Sequence, residues 1–93
     1  MNVTDVKIRK MNTIGPVKAI ASVTIDNEFV IHEVKVVEGP NGIFVAMPSR
    51  RTADGKYRDI AHPVSPEARA LVTGIVLETY ERAKSSLLSS VGI

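Results

Sequence analysis

The sequence predicts an α+β domain, an antiparallel meander of four or five strands followed by one C-terminal amphipathic helix packed on one face. Three observations predict it. Apolar and polar residues alternate in successive segments up to Val37, short connections rich in turn residues join these segments, and after Ser65 the apolar spacing becomes helical. Parallel neighbours need crossovers of about a dozen residues or more, so connections this short make antiparallel pairs. At 93 residues the chain is one domain, 1–93, near the lower end of sizes that fold alone.

Val6 and Ile8 alternate with Lys7 and Arg9, as in a half-buried strand with its bases in water, and Met11 to Pro16 reads as a loop. In Val17 to Ile25, Ala19, Ala21, Val23 and Ile25 share an apolar face. Asp26-Asn27 then forms a hairpin turn, because both residues tolerate positive φ. Strict alternation in Phe29 to Val37 puts Val30, His32, Val34 and Val36 together, opposite Ile31, Glu33 and Lys35, so His32 is expected among valines.

Gly39-Pro40-Asn41-Gly42 is a dense turn signal, followed by the fully apolar run Ile43-Phe44-Val45-Ala46-Met47. A strand with large apolar side chains at successive positions needs cover on both faces, which predicts a central place in the sheet and makes Phe29 and Phe44 core residues. Pro48 has no N–H to give and stops the strand. Asp54-Gly55 turns the chain back, so that a hairpin tip carries Arg50, Arg51, Lys56 and Arg58.

Ser65-Pro66-Glu67 opens the helix, with Ser as N-cap, Pro at the first position and Glu in the positive first turn. Ala68, Leu71, Val72, Ile75, Val76, Thr79, Tyr80 and Ala83 form its apolar stripe, whose burial is worth on the order of 10 kcal/mol before entropy is subtracted. Gly74 among these positions predicts close approach to another element. The serines of 84–93 weaken the end of the helix and predict a frayed or variable tail.

Charge is uneven along the chain. Met1 to Ser22 has a net charge of +3, Asp26 to Glu38 of −3 and Pro48 to Pro63 of +2, within a total of +2. With no cysteine, disulfides and thiolate chemistry are excluded. No apolar run reaches membrane-spanning length and Met1 to Asp5 has no signal-peptide core, so the chain is expected to be cytoplasmic.

The hairpin is the strongest candidate site. Arg50, Arg51, Lys56 and Arg58, with the Thr52 hydroxyl, offer donors suited to phosphate, and Lys7, Arg9 and Lys10 extend the patch if the first strand lies nearby. The competing explanation is surface charge that serves solubility. Only Tyr57 is placed to stack an unpaired base, which favours contact with the nucleic-acid backbone. Catalytic signals are weak: Ser49, Asp59 and His62 lack the glycine-rich elbow of a serine nucleophile, and two histidines without a third spaced ligand do not make a metal site.

The block Gly42-Ile43-Phe44-Val45-Ala46-Met47-Pro48-Ser49-Arg50-Arg51-Thr52, then Asp54-Gly55, Arg58-Asp59-Ile60 and His62-Pro63, resembles the SpoVG family of bacteria (stage V sporulation protein G). Val3-Thr4-Asp5-Val6 and Ala19-Ile20-Ala21-Ser22-Val23-Thr24 match it as well, and the likeness spans Met1 to Tyr80; the tail from Ala83 departs from the pattern. The resemblance implies a small cytoplasmic, dimeric, nucleic-acid-binding regulator linked to sporulation, septation or virulence traits, with no established enzymatic activity. Separately, one helix covers one side of a sheet, and the uncovered side argues for a homodimer. The expected partners are therefore DNA, with RNA left open, and a second copy of the chain; no cofactor, membrane or small-molecule substrate is expected. The rival expectation is a protein-interaction module acting in septation, which docks through a sheet edge or the acidic third strand.

Overall fold

The computed structural model describes residues 1–11 and 15–91, the side chains of 87–91 excepted. In order come β1 (Val3–Met11), β2 (Val17–Ile25), β3 (Phe29–Gly39), β4 (Gly42–Ala46), β5 (Ser49–Arg51), β6 (Tyr57–Asp59) and α1 (Pro66–Val91). β1 to β4 form one antiparallel sheet in sequence order, and β5 and β6 form a separate two-stranded ribbon. The predicted α+β meander with one helix on one face is the fold of the chain.

The turns follow from residue type. Asp26 and Asn27 adopt φ of 52° and 54°, and the Asp26 N–H also donates to the Asn2 carbonyl, tying the turn to the start of β1. β3 and β4 close on the Gly39–Gly42 pair around Pro40-Asn41, with Gly42 at φ 122°. Of the expected Met11 to Pro16 loop, residues 12–14 lie outside the described residues.

The core sits between the sheet and α1. Ala19, Val23, Val34, Val36 and Met47 from the strand side meet Val72, Val76 and Tyr80 of the helix. The helix starts as expected: Ser65 Oγ accepts from the Ala68 N–H at 3.1 Å, and Pro66 takes the first helical position. Its inner line is Ala68, Val72, Val76 and Tyr80, with Leu77 packing against the core; Leu71, expected on the stripe, is on the exposed side. α1 continues through the serine-containing segment to Val91.

Four further expectations change. First, β4 is an edge strand and not a central one, because it pairs only with residues 35–39 of β3 and the chain then leaves through Met47 and Pro48 into the separate ribbon. Its apolar run is split between two surroundings: Val45 packs toward the helix, while Phe44 lies on the opposite face. Second, Phe29 and Phe44 are not core; they are 73% and 50% exposed.

Third, the alternation in β3 breaks at Glu33. Ala21 pairs with Val34 but Val23 pairs with Ile31, so β3 carries one extra residue there, and Glu33 adopts φ 62°. The bulge moves Ile31 onto the core side with Val34 and Val36. His32 therefore lies away from Val34 and Val36, where its Nδ1 is 2.9 Å from Ser22 Oγ. Arg9 Nε donates to the same hydroxyl at 3.2 Å, so Ser22, the buried polar side chain of the sheet, is satisfied from both neighbouring strands. Fourth, Gly74 is exposed and a Cβ built there meets nothing within 4 Å among the described residues, so the close approach expected there is not found.

Candidate nucleic-acid interface

The ribbon after β4 is the predicted hairpin. Its ladder pairs Ser49 with Asp59, Arg50 with Arg58 and Arg51 with Tyr57. Side chains alternate along a strand, so Arg50 and Arg58 share one face while Arg51 and Tyr57 share the other. The base of the ribbon is tied by the Ile60 N–H donating to the Pro48 carbonyl at 2.7 Å. Pro48 itself is buried and anchors the ribbon to the sheet.

The tip is organised by Thr52 and Asp54. Thr52 N–H donates to the Lys56 carbonyl at 2.7 Å, the Gly55 N–H to the Thr52 carbonyl at 3.0 Å, and the Lys56 N–H to Asp54 Oδ1 at 3.1 Å. Thr52 Oγ1 contacts Asp54 Oδ1 and lies 3.0 Å from the Lys56 carbonyl. Gly55 takes φ 84°, which favours glycine, and a Cβ there would stand 3.7 Å from Arg51 Nη2, so the Arg51 guanidinium lies over the tip. The Thr52 hydroxyl bond, then the Lys56 amide bond, hold the Asp54 carboxyl below its ordinary value.

This geometry sorts the predicted residues. Arg50, Arg51, Lys56 and Arg58 are exposed, and among the described residues none of their side chains forms an ion pair or hydrogen bond; the ion pair found there joins Arg82 to Glu78 on the helix. Thr52 differs from the expectation, since its hydroxyl is engaged inside the turn. Lys7, Arg9 and Lys10 are on β1, at the opposite edge of the sheet from β4, so three strand spacings, about 14 Å, separate β1 from β4. Arg9 reaches His32 through Ser22, and His32 in turn lines a groove with Val30, Pro48 and Ile60 at the base of the ribbon.

Ser49 and Asp59 are neighbours across the ladder, whereas His62 lines an apolar hollow with Met47, Pro63 and Val72, and no hydrogen bond joins it to either. Among the described residues no three metal-ligating side chains converge, and no helix is long and apolar enough to cross a membrane.

Sequence reasoning singled out Tyr57 for stacking but took Phe29 and Phe44 for core. Phe29, Phe44 and Tyr57, the last 71% exposed, are three of the four aromatic residues, and Tyr80 alone is buried. The Gly39-to-Phe44 spacing was the available signal for Phe44, since glycine leaves room for a ring on the neighbouring strand.

Comparison with known proteins finds relatives over most of the chain. The SpoVG family profile matches residues 1–82. A Heliobacterium modesticaldum protein named "Putative septation protein SpoVG" is 57% identical over 89 residues, covering 96% of this chain and all of the relative. Proteins of the same name from Clostridium perfringens and Caldanaerobacter subterraneus are 53% and 52% identical, over 91% and 92% of this chain and 94% of each relative.

Proposed function

The chain belongs to the SpoVG family, and from that premise we propose that it is a nucleic-acid-binding regulatory protein that acts without chemical turnover. It binds DNA, with RNA as a second ligand class, through the β5–β6 hairpin of a homodimer. The names of its relatives support a role linked to septation and sporulation. The observation that carries the reading is the hairpin itself: four exposed bases, two of them opposed as Arg50 and Arg58, with no carboxylate bound to any of them. Planar guanidinium groups free of internal partners are suited to bidentate phosphate contact.

The dimer rests on the two sheet edges. β1 is blunted by Lys7, Arg9 and Lys10, the usual protection of an edge strand. β4 carries no charged residue and has one neighbour only. Antiparallel pairing of β4 with its copy makes a continuous sheet and presents two hairpins to one polyanion. The same edge favours a second reading, in which β4 takes a strand from another protein and the chain is an interaction module in septation.

Titration of the purified chain against duplex DNA, single-stranded DNA and RNA at low and high salt separates the two. If each subunit neutralises three or four phosphates, log affinity for duplex falls with log salt at a slope of roughly −5 to −7. Affinity that is indifferent to salt sinks the nucleic-acid reading in favour of edge docking.

A further inference from the structure

α1 covers one face of the β1–β4 sheet, and the ladders define the composition of the other. Lys10, Ile20, Lys35 and Ala46 form a row across all four strands, each the register partner of the next. Lys7 lies on the same face beside Ser22, and Arg9 joins it through its bond to the Ser22 hydroxyl. Phe44, paired with Val37, is the diagonal neighbour of Lys35. These residues oppose Val34, Val36 and Ala19, which face the helix, so they form the helix-free side.

Two features of this face point to one class of ligand. Its charge is basic, with Lys7, Arg9 and Lys10 on β1 and Lys35 on β3, while Asp5 brings a carboxylate at the far end of β1 and Glu33 another at the bulge beside His32. Its aromatic residue is held in place: a Cβ on Gly39 would come within 3.1 Å of Phe44 Cε1, so the half-exposed ring rests on the Gly39 backbone. A second copy stacked on the same face would set these like charges against each other, which disfavours self-association there. Bases together with a fixed aromatic ring are the combination that open sheets use to hold an unpaired strand.

We infer that the helix-free face of the β1–β4 sheet is a second nucleic-acid site, for a single strand, in which a base stacks on Phe44 and Lys35, Lys10, Arg9 and Lys7 track the phosphates. The inference rests on the reading that the chain binds nucleic acid, and adds to the hairpin a separate site with a different preference. Pairing of β4 edges leaves this face open and continues it across both subunits.

The test compares an oligothymidine of about twelve nucleotides with a blunt-ended duplex, on the full chain at fixed salt. Phe44→Leu keeps apolar bulk over Gly39 and removes the π-face; Lys10→Ala/Lys35→Ala removes charge alone. Each is expected to weaken oligothymidine binding about ten-fold and to leave duplex affinity within about two-fold. In the unaltered chain, amide resonances of Ile20, Lys35 and Ala46 shift on adding oligothymidine, which keeps the site testable if a variant folds poorly. The inference is overturned if oligothymidine binding ignores both variants, if the shifts are confined to the hairpin, if duplex affinity falls in parallel, or if polyglutamate competes as well as oligothymidine. Arg50→Ala/Arg51→Ala, measured on duplex, reads the hairpin separately: loss there with an indifferent Phe44→Leu ends this inference alone, whereas no loss there with a responsive Phe44→Leu ends the hairpin reading alone. An unaltered chain that binds neither probe ends both.

Discussion

Arg50 and Arg58 are register partners on adjacent strands of the β5–β6 ribbon, two like charges in one cross-strand pair. Such a pair is locally unfavourable, because directly opposed like charges repel and no carboxylate relieves these two. Their arrangement makes physical sense when an external anion supplies the missing countercharge. On the proposed function, the hairpin is a place where local stability is given up for binding.

The same logic applies to Asp54, which has no opposing base in an ion pair and works through the backbone. Asp54→Ala removes the acceptor for the Lys56 N–H and the partner of Thr52, so the tip loosens while the sheet core is untouched. Because the folded carboxyl titrates below its ordinary value of 3.8, its contribution is complete above that value and is lost as pH falls through the lower folded one. Hydrogen exchange at the Lys56 amide is expected to be slow at neutral pH relative to Asp54→Ala, and the difference should disappear in strong acid.

Glu33 at φ 62° carries a backbone cost that glycine avoids. Glu33→Gly is expected to raise stability or leave it unchanged, and Glu33→Val to lower it by about 1–2 kcal/mol. Thermal melts of the two variants check the sign of each change. A bulge that tolerates valine as well as glycine contradicts the assignment.

Ser65 caps α1 through the Ala68 N–H. Ser65→Ala should cost about 1 kcal/mol, equivalent to a fall in Tm of about 4–8 °C for a chain of this size. Ser65→Asp should recover most of that loss, since aspartate also accepts at the cap and suits the helix N-terminus.

The helix and the turns were legible because their signals are local. Ser65-Pro66-Glu67 names its own cap, Asp26-Asn27 its own positive φ, and Asp54-Gly55 its own reversal. The bulge was not legible, since a non-glycine residue at φ 62° leaves no mark in a run of alternating residues; it placed His32 with Ser22 where strict alternation placed it with valines. The position of β4 was missed for a different reason. An apolar run reports that both faces of a strand are apolar, but whether a neighbour pairs with each edge depends on where the later chain goes, and here Met47-Pro48 leads it away. Within the site, residue type identified the exposed arginines. It did not show that Thr52 spends its hydroxyl on the turn, or that the bases of β1 lie at the far edge of the sheet.

The most direct measurement is the salt dependence of duplex binding by the unaltered chain and by Arg50→Ala/Arg51→Ala. In a dimer the substitutions remove four charges, so the log–log slope should become shallower by about 3 to 4 and affinity at physiological salt should fall by several kcal/mol, with Tm nearly unchanged. An unchanged slope with undiminished affinity contradicts the account, because the polyanion would then be held by some other surface of the protein.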